Sequence, residues 1–206
     1  MVVAQTLRYA PWWTSALVTG TLAALVIPGV AEYLIYDRGA LARGELWRLL
    51  TAHMVHYSGT HLFTNLLVLV PAALLVEMRY REGLLKTLAV SAVAIGAGLF
   101  LFQVEIYRYA GASGISLALL TYAALRGLET NTRWRTVCAI VLAIVAIKLV
   151  AETFVGWQVA DWEQDAGFVI VPFSHATGAG TALGIWTMRT VKRAQVSRIL
   201  PNSIRN

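Results

Sequence analysis

Long apolar runs separated by short polar connections make up most of this 206-residue chain. Five runs are plain, at about 12–35, 60–76, 84–104, 136–155 and 168–188, and one more, at about 112–125, is shorter. Apolar residues follow one another without the strict alternation of a barrel strand, so the pattern predicts helices. Crossing a hydrocarbon core of ~30 Å takes about 20 apolar residues at ~1.5 Å rise each. The runs therefore predict an all-α polytopic membrane protein with six spans, folded as a single domain over 1–206. A short N-terminal stretch (about 1–11) and a basic tail (about 189–206) flank the spans. The fourth run is short for a span: from Gly114 to Leu125 it supplies ~18 Å of helix, which leaves a depression above its start. Irregular backbone at that depth is tolerated where it is buried or lines water.

Composition supports lipid as the solvent. Hydrophobic residues are 58% of the chain and the mean hydropathy is +0.63, whereas a soluble domain holds roughly 45–50% apolar residues. Charge then sets the orientation. Arg8, the group Arg79, Arg81 and Lys86, the group Arg126, Arg133 and Arg135, and the tail group Arg189, Lys192, Arg193, Arg198 and Arg205 fall on one side; Arg38, Arg43, Arg48 and Arg108 fall on the other. Twelve against four places both termini in the cytoplasm. The net charge of +6 is then mainly a topology signal, with the tail able to touch anionic headgroups, and gives no reason to invoke nucleic acid. Removing the first run as a signal peptide would leave an odd number of spans, so it is read as the first helix. The single cysteine, Cys138, excludes an internal disulfide.

Against this apolar background a few polar residues stand out, because polar groups at membrane depth are expensive and usually functional. Ser113 lies in Gly111-Ala112-Ser113-Gly114 at the start of the fourth run, and His175 opens the sixth. His61 and Asn65 open the second. All three runs cross in the same direction, so these residues share a depth just below the outer surface. A helix starting beside Ser113 points free N–H groups at its hydroxyl, half of an oxyanion hole. Four positions apart, His61 and Asn65 share a helix face and supply further donors. His175 is the base that takes the Ser113 proton. Gly111 and Gly114 permit a tight turn and a close backbone approach. Gly178, with Gly180 and Gly184, gives the sixth helix a small face for close packing.

Other signals take structural readings. His53-Met54-Val55-His56 lacks the glutamate and spacing of a zinc motif, so neither a metal nor any cofactor is expected. His56 is expected to hydrogen-bond within the first outer loop. Lys148 and Glu152 are expected to form an ion pair or to snorkel. No carboxylate is evident at the depth of His175, so a Ser–His dyad is expected rather than a triad. Trp12, Trp13, Trp47, Trp157, Trp162 and Trp186 read as an interfacial belt. The loop from Trp157 to Pro172 is expected to act as a lid, with Phe168 and Val169 as gate candidates.

The combination of Trp47-Arg48, His56, His61-x-x-x-Asn65, Gly111-x-Ser113-Gly114 and His175 followed by Gly178, with Glu77 and Arg79 at the inner end of the second run, resembles the rhomboid family of intramembrane serine proteases. The resemblance implies a six-helix rhomboid-like bundle over roughly 45–184, in which Ser113 is the nucleophile and His175 the base. His61, Asn65 and the Ser113 backbone N–H would form the oxyanion hole. Leu117 departs from the pattern, since many relatives carry an aromatic or histidine there. The compact build and the segment from Glu45 to His53 look most like the bacterial rhombosortase branch, which implies an inner-membrane enzyme acting on Gly-Gly-type C-terminal tails of secreted proteins. Transmembrane proteins are then the expected substrates, with the oligomeric state left open. The alternative is a non-proteolytic binder of membrane clients, against which the full polar set argues. A channel would need polar lining through the whole thickness, and the inner halves of these runs are apolar.

Overall fold

A computed structural model describes residues 10–130, 133–155 and 171–199. Within them the chain is almost entirely helical, an all-α membrane protein whose helices follow the predicted runs. The first run does not make one helix. α1 (Trp12–Val26) stops where Ile27 turns extended before Pro28, and Gly29 follows with a left-handed φ of 79°. Proline disfavours helical backbone in the residue before it, and glycine tolerates the turn that follows. The rest of the run becomes the short α2 (Val30–Leu34), at the start of the loop that leads to the next long helix.

That loop continues through β1 (Tyr36–Asp37), α3 (Arg38–Ala42), α4 (Arg48–Thr51) and a 3-10 turn at Ala52–Met54. The Asp37 carboxylate caps α3 by accepting from Ala40 N at 2.7 Å. Arg48 is buried and donates to Glu32 O, Ile35 O and Glu45 Oε2 at 2.7–2.9 Å. One guanidinium with several fixed donors thus ties the end of α2 to the turn before α4. Trp47 stacks on Tyr33 and donates to its carbonyl at 3.2 Å.

Two long helices follow, α5 (Gly59–Arg79) and α6 (Arg81–Phe102), each long and apolar enough to cross a membrane. Ser58 starts α5 by accepting from His61 N. At its C-terminal end Glu77 accepts from Trp13 N, Thr14 N and Thr14 Oγ1 at 2.7–3.0 Å. The first turn of α1 has no capping side chain of its own, so a carboxylate from another helix satisfies its free N–H groups.

β2 (Arg108–Tyr109) then pairs antiparallel with β1, Tyr36 opposite Tyr109 and Asp37 opposite Arg108. A helix-only reading of the sequence did not anticipate this ribbon, because two residues per strand carry no periodicity. Its effect is to tie the segment before Ser113 to the loop between α1 and α5.

α7 (Ser113–Gly127) is the centre of the fold. Thirteen of its fifteen residues are buried, and it packs against both α5 and α6. α8 (Arg133–Val150) runs on through a π-helical turn, Ala151–Val155, and the continuous stretch Arg133–Val155 is again long enough to cross. It packs mainly on α7 and leaves most of its surface outward. α9 (Pro172–Ile199) closes the bundle against α7 and α6, where Ser91 and Thr181 share a hydrogen bond of 2.8 Å. At the end of the bundle near the C-terminus of α7, Arg126 pairs with Glu82, and Arg189 with Glu129, joining α6, α7 and α9.

Candidate active site

The segment entering α7 is held from several sides. Gly111 N donates to Ala52 O at 3.3 Å, and Gly111 O lies 3.3 Å from both the Tyr109 hydroxyl and His53 Nδ1. Ala112 N donates to His56 Nε2 at 3.4 Å. His56 therefore reaches across to the serine segment, rather than bonding only within the first outer loop as expected. Burial lowers its pKa to about 3, so the ring is neutral and its Nε2 lone pair is free to accept. His53, weighed in the sequence only as a metal candidate, is fully buried between Gly111 O and Ala92 O, the latter 3.2 Å from Nε2. Burial pushes its pKa down as well, and a neutral ring donates to one of the two carbonyls at a time.

Gly111 needs to be glycine twice over. Its φ of 129° lies in the region side chains avoid, and a Cβ there would stand 3.0 Å from Cε1 and Nε2 of His61. The His61 ring consequently lies against the backbone that delivers Ser113. Tyr109 adds a second contact: its hydroxyl, which donates to Gly111 O, lies near the Ser113 and Ser174 side chains. Burial raises its pKa to about 12, so it remains a protonated phenol.

Ser113 is half-buried and is the first residue of α7, preceded by Ala112, which offers no side-chain cap. The free N–H groups of the first turn accordingly have no side-chain acceptor from the cap position. On α5, His61 and Asn65 are both buried on one face. Asn65 Nδ2 donates to His61 O at 2.8 Å, which uses one of its two amide hydrogens.

His175 sits in the first turn of α9 and is 4% exposed. It reaches the level of Ser113 because α7 and α9 touch backbone to backbone. A Cβ on Gly114 would lie 2.8 Å from Ser174 O, and one on Gly178 would run into Gly114 O. Gly180 and Gly184 face open space, so the expected small-residue face narrows to Gly178 alone. Leu117 packs with Val145 and Ala179, filling the joint between α7, α8 and α9 one turn below His175. Among the described residues no direct hydrogen bond joins Ser113 to His175, which are brought to one level by this packing. Phe168, Val169, Trp157 and Trp162 lie outside the described residues.

The expectation that no carboxylate serves His175 is corrected. Glu152, in the π-helical turn, places Oε2 at 2.8 Å from His175 Nδ1. Its other oxygen takes the Lys148 ammonium, the ion pair expected from their spacing. Sequence offers no register between α8 and α9, so a residue 23 positions before His175 could not be aligned with it. One signal was present: an acidic residue inside an apolar run demands a partner.

The family model of the Rhomboid domain matches residues 43–190 of the chain. No curated protein matches it.

Proposed function

The chain belongs to the rhomboid family, whose members are intramembrane serine proteases, and from that premise we propose that it is a serine endopeptidase that cuts transmembrane segments near the outer leaflet. Ser113 Oγ attacks the scissile carbonyl carbon as His175 takes its proton. The oxyanion is received by the Ser113 backbone N–H, His61 and Asn65. Collapse breaks the C–N bond, and the proton passes from His175 to the leaving amine. Water, deprotonated by the same imidazole, then releases the acyl group and restores Ser113. The observation that carries this reading is the junction of Gly111, Ser113 and Gly114. There a helix starts at a serine, with an imidazole against the preceding glycine and the His175 helix against the following one.

The proposal includes six spans with both termini in the cytoplasm and the site facing outward, in a bacterial inner membrane. A transmembrane substrate must unwind locally before its backbone can be cut, because its carbonyls are engaged in helix hydrogen bonds. Small residues near the cut ease that unwinding. Gly-Gly-type C-terminal membrane tails meet this requirement, and with the rhombosortase-like segment from Glu45 to His53 they are the substrates proposed.

The test is labelling by a fluorophosphonate, which phosphonylates an activated serine and releases fluoride. Native protein is expected to label at Ser113 and to cut a Gly-Gly transmembrane tail. Ser113→Ala is expected to do neither while keeping its melting temperature. A Ser113→Ala variant that still cleaves would overturn the assignment.

A further inference from the structure

Resting on the hydrolase reading above, we propose that Glu152 is a positioning residue for His175, held in its working orientation by Lys148, so that the site operates as a serine–histidine–glutamate relay of contacts rather than a bare pair. The geometry is specific. Glu152 is 4% exposed, its side chain 1%, while the Lys148 side chain is 29% exposed. An isolated Lys–Glu pair one turn apart in a membrane helix would turn both heads toward the interface. Here the carboxylate stays inside, and its two oxygens face different partners, Lys148 on Oε1 and His175 Nδ1 on Oε2. A buried carboxylate is tolerated only when paired and hydrogen-bonded, and these two partners meet that need. The carboxylate is carried by a π-helical turn at the end of α8, a local widening common at functional sites.

What Glu152 does to His175 follows from the tautomer. An ionised carboxylate only accepts, so at 2.8 Å it requires Nδ1 to carry a proton. The lone pair is then on Nε2, the nitrogen left to take the Ser113 proton. Lys148 Nζ is also near Nδ1, at 3.4 Å, and by itself would favour the opposite tautomer, with Nδ1 accepting and Nε2 protonated. The shorter, charge-assisted contact decides for Glu152. When Nε2 receives the serine proton, the imidazolium keeps Nδ1–H on the carboxylate, and Lys148 balances the carboxylate charge between turnovers. Glu152 is not protonated at any point.

Glu152→Gln tests this with little change of shape. Lys148 donates, so it would hold the amide oxygen and turn the amide N–H₂ toward His175 Nδ1. That locks the unproductive tautomer. The probe is the fluorophosphonate, with its maximal labelling rate at Ser113 separated from its half-saturating concentration. Glu152→Gln is expected to lower the maximal rate by about 10²- to 10⁴-fold, between the effects of losing an imidazole's second partner and of locking its wrong tautomer. The half-saturating concentration and melting temperature should stay near native. Adding Lys148→Met frees the amide to rotate its oxygen to Nδ1–H, and the double variant is expected to label about tenfold faster than Glu152→Gln alone. A purely structural pair predicts the reverse, the double variant being the slower. Three results overturn the proposal: a native maximal rate in Glu152→Gln, a change confined to half-saturation, or a double variant no faster than the single. If native protein fails to label at Ser113, the hydrolase reading falls first; if it labels and Glu152→Gln labels equally well, only the role of Glu152 falls.

Discussion

His61 and Asn65 stand one helical turn apart on α5, and their surroundings give them different freedom. The His61 ring is fixed against Gly111 and within 4.9 Å of the His56 ring, whereas the Asn65 amide is tethered to its own helix through His61 O. If both donate to one oxyanion, His61→Ala and Asn65→Ala should each lower turnover by about 10²- to 10³-fold, the usual loss for one donor. The double variant should lose less than the product of the two, because both act on the same charge. Cleavage rates of the three variants on one substrate decide it, and fully multiplicative losses would assign one residue to substrate binding. Gly111 shows the same logic in its backbone. Its positive φ would strain any side chain, and a Cβ would press on the His61 ring at 3.0 Å.

At the scale of elements, the site depends on the contact between α7 and α9. That contact is set by Gly114 and Gly178, whose backbones meet with no side chain between them. Gly178→Ala would press a methyl into the Gly114 carbonyl, which cannot rotate away as a side chain could. We expect a loss of about 1–3 kcal/mol of stability, as for other overpacked cores, together with slower labelling of Ser113 as His175 is displaced. Gly180→Ala, two residues along the same helix, meets open space and should leave labelling unchanged while raising stability by up to about 1 kcal/mol through helix propensity. Thermal unfolding and labelling of the two variants side by side provide the check. Equal effects would mean that α7 and α9 do not pack as described.

For the molecule as a whole, α7 is the buried post around which the longer helices stand, and the loop between α1 and α5 is fastened to the N-terminal end of the post by the β1–β2 ribbon, His53 and His56. The central α7 has fifteen residues, whereas α5, α6 and the stretch Arg133–Val155 around it are each long and apolar enough to cross a membrane. Under the proposed topology Glu105, exposed between α6 and β2, faces outward, and Lys192, exposed near the end of α9, faces inward. With the buried Cys138 replaced by alanine, Glu105→Cys should react with a membrane-impermeant maleimide in intact cells with permeable outer layers. Lys192→Cys should react only after lysis. The opposite pattern would invert the orientation, and reaction of both in intact cells would exclude the odd number of crossings that the proposed topology puts between residues 105 and 192.

Hydrophobic continuity along the chain was enough to determine the helical class, and the same pattern placed the starts of α5, α7 and α9 close to where they lie. Ser113, His175, His61 and Asn65 were legible as candidates, because each is a polar residue that stands out against an apolar run. Local rules also account for the end of α1, since Pro28-Gly29 carries its own stop signal, although run length alone had hidden it. Tertiary structure decided the rest. The ribbon between Tyr36–Asp37 and Arg108–Tyr109 joins two loops about seventy residues apart, and no period marks it. His56 and His53 were visible as residues, yet their partners lie in the serine segment. Gly178 could not be told from Gly180 and Gly184 without the face that α9 turns toward α7. Glu152 makes the case most sharply. Spacing alone paired it correctly with Lys148, because four residues is one helical turn. Its pairing with His175 depends on how α8 and α9 are rotated about their axes, and that rotation is fixed by side-chain packing between helices, which leaves no trace in the order of residues along either one.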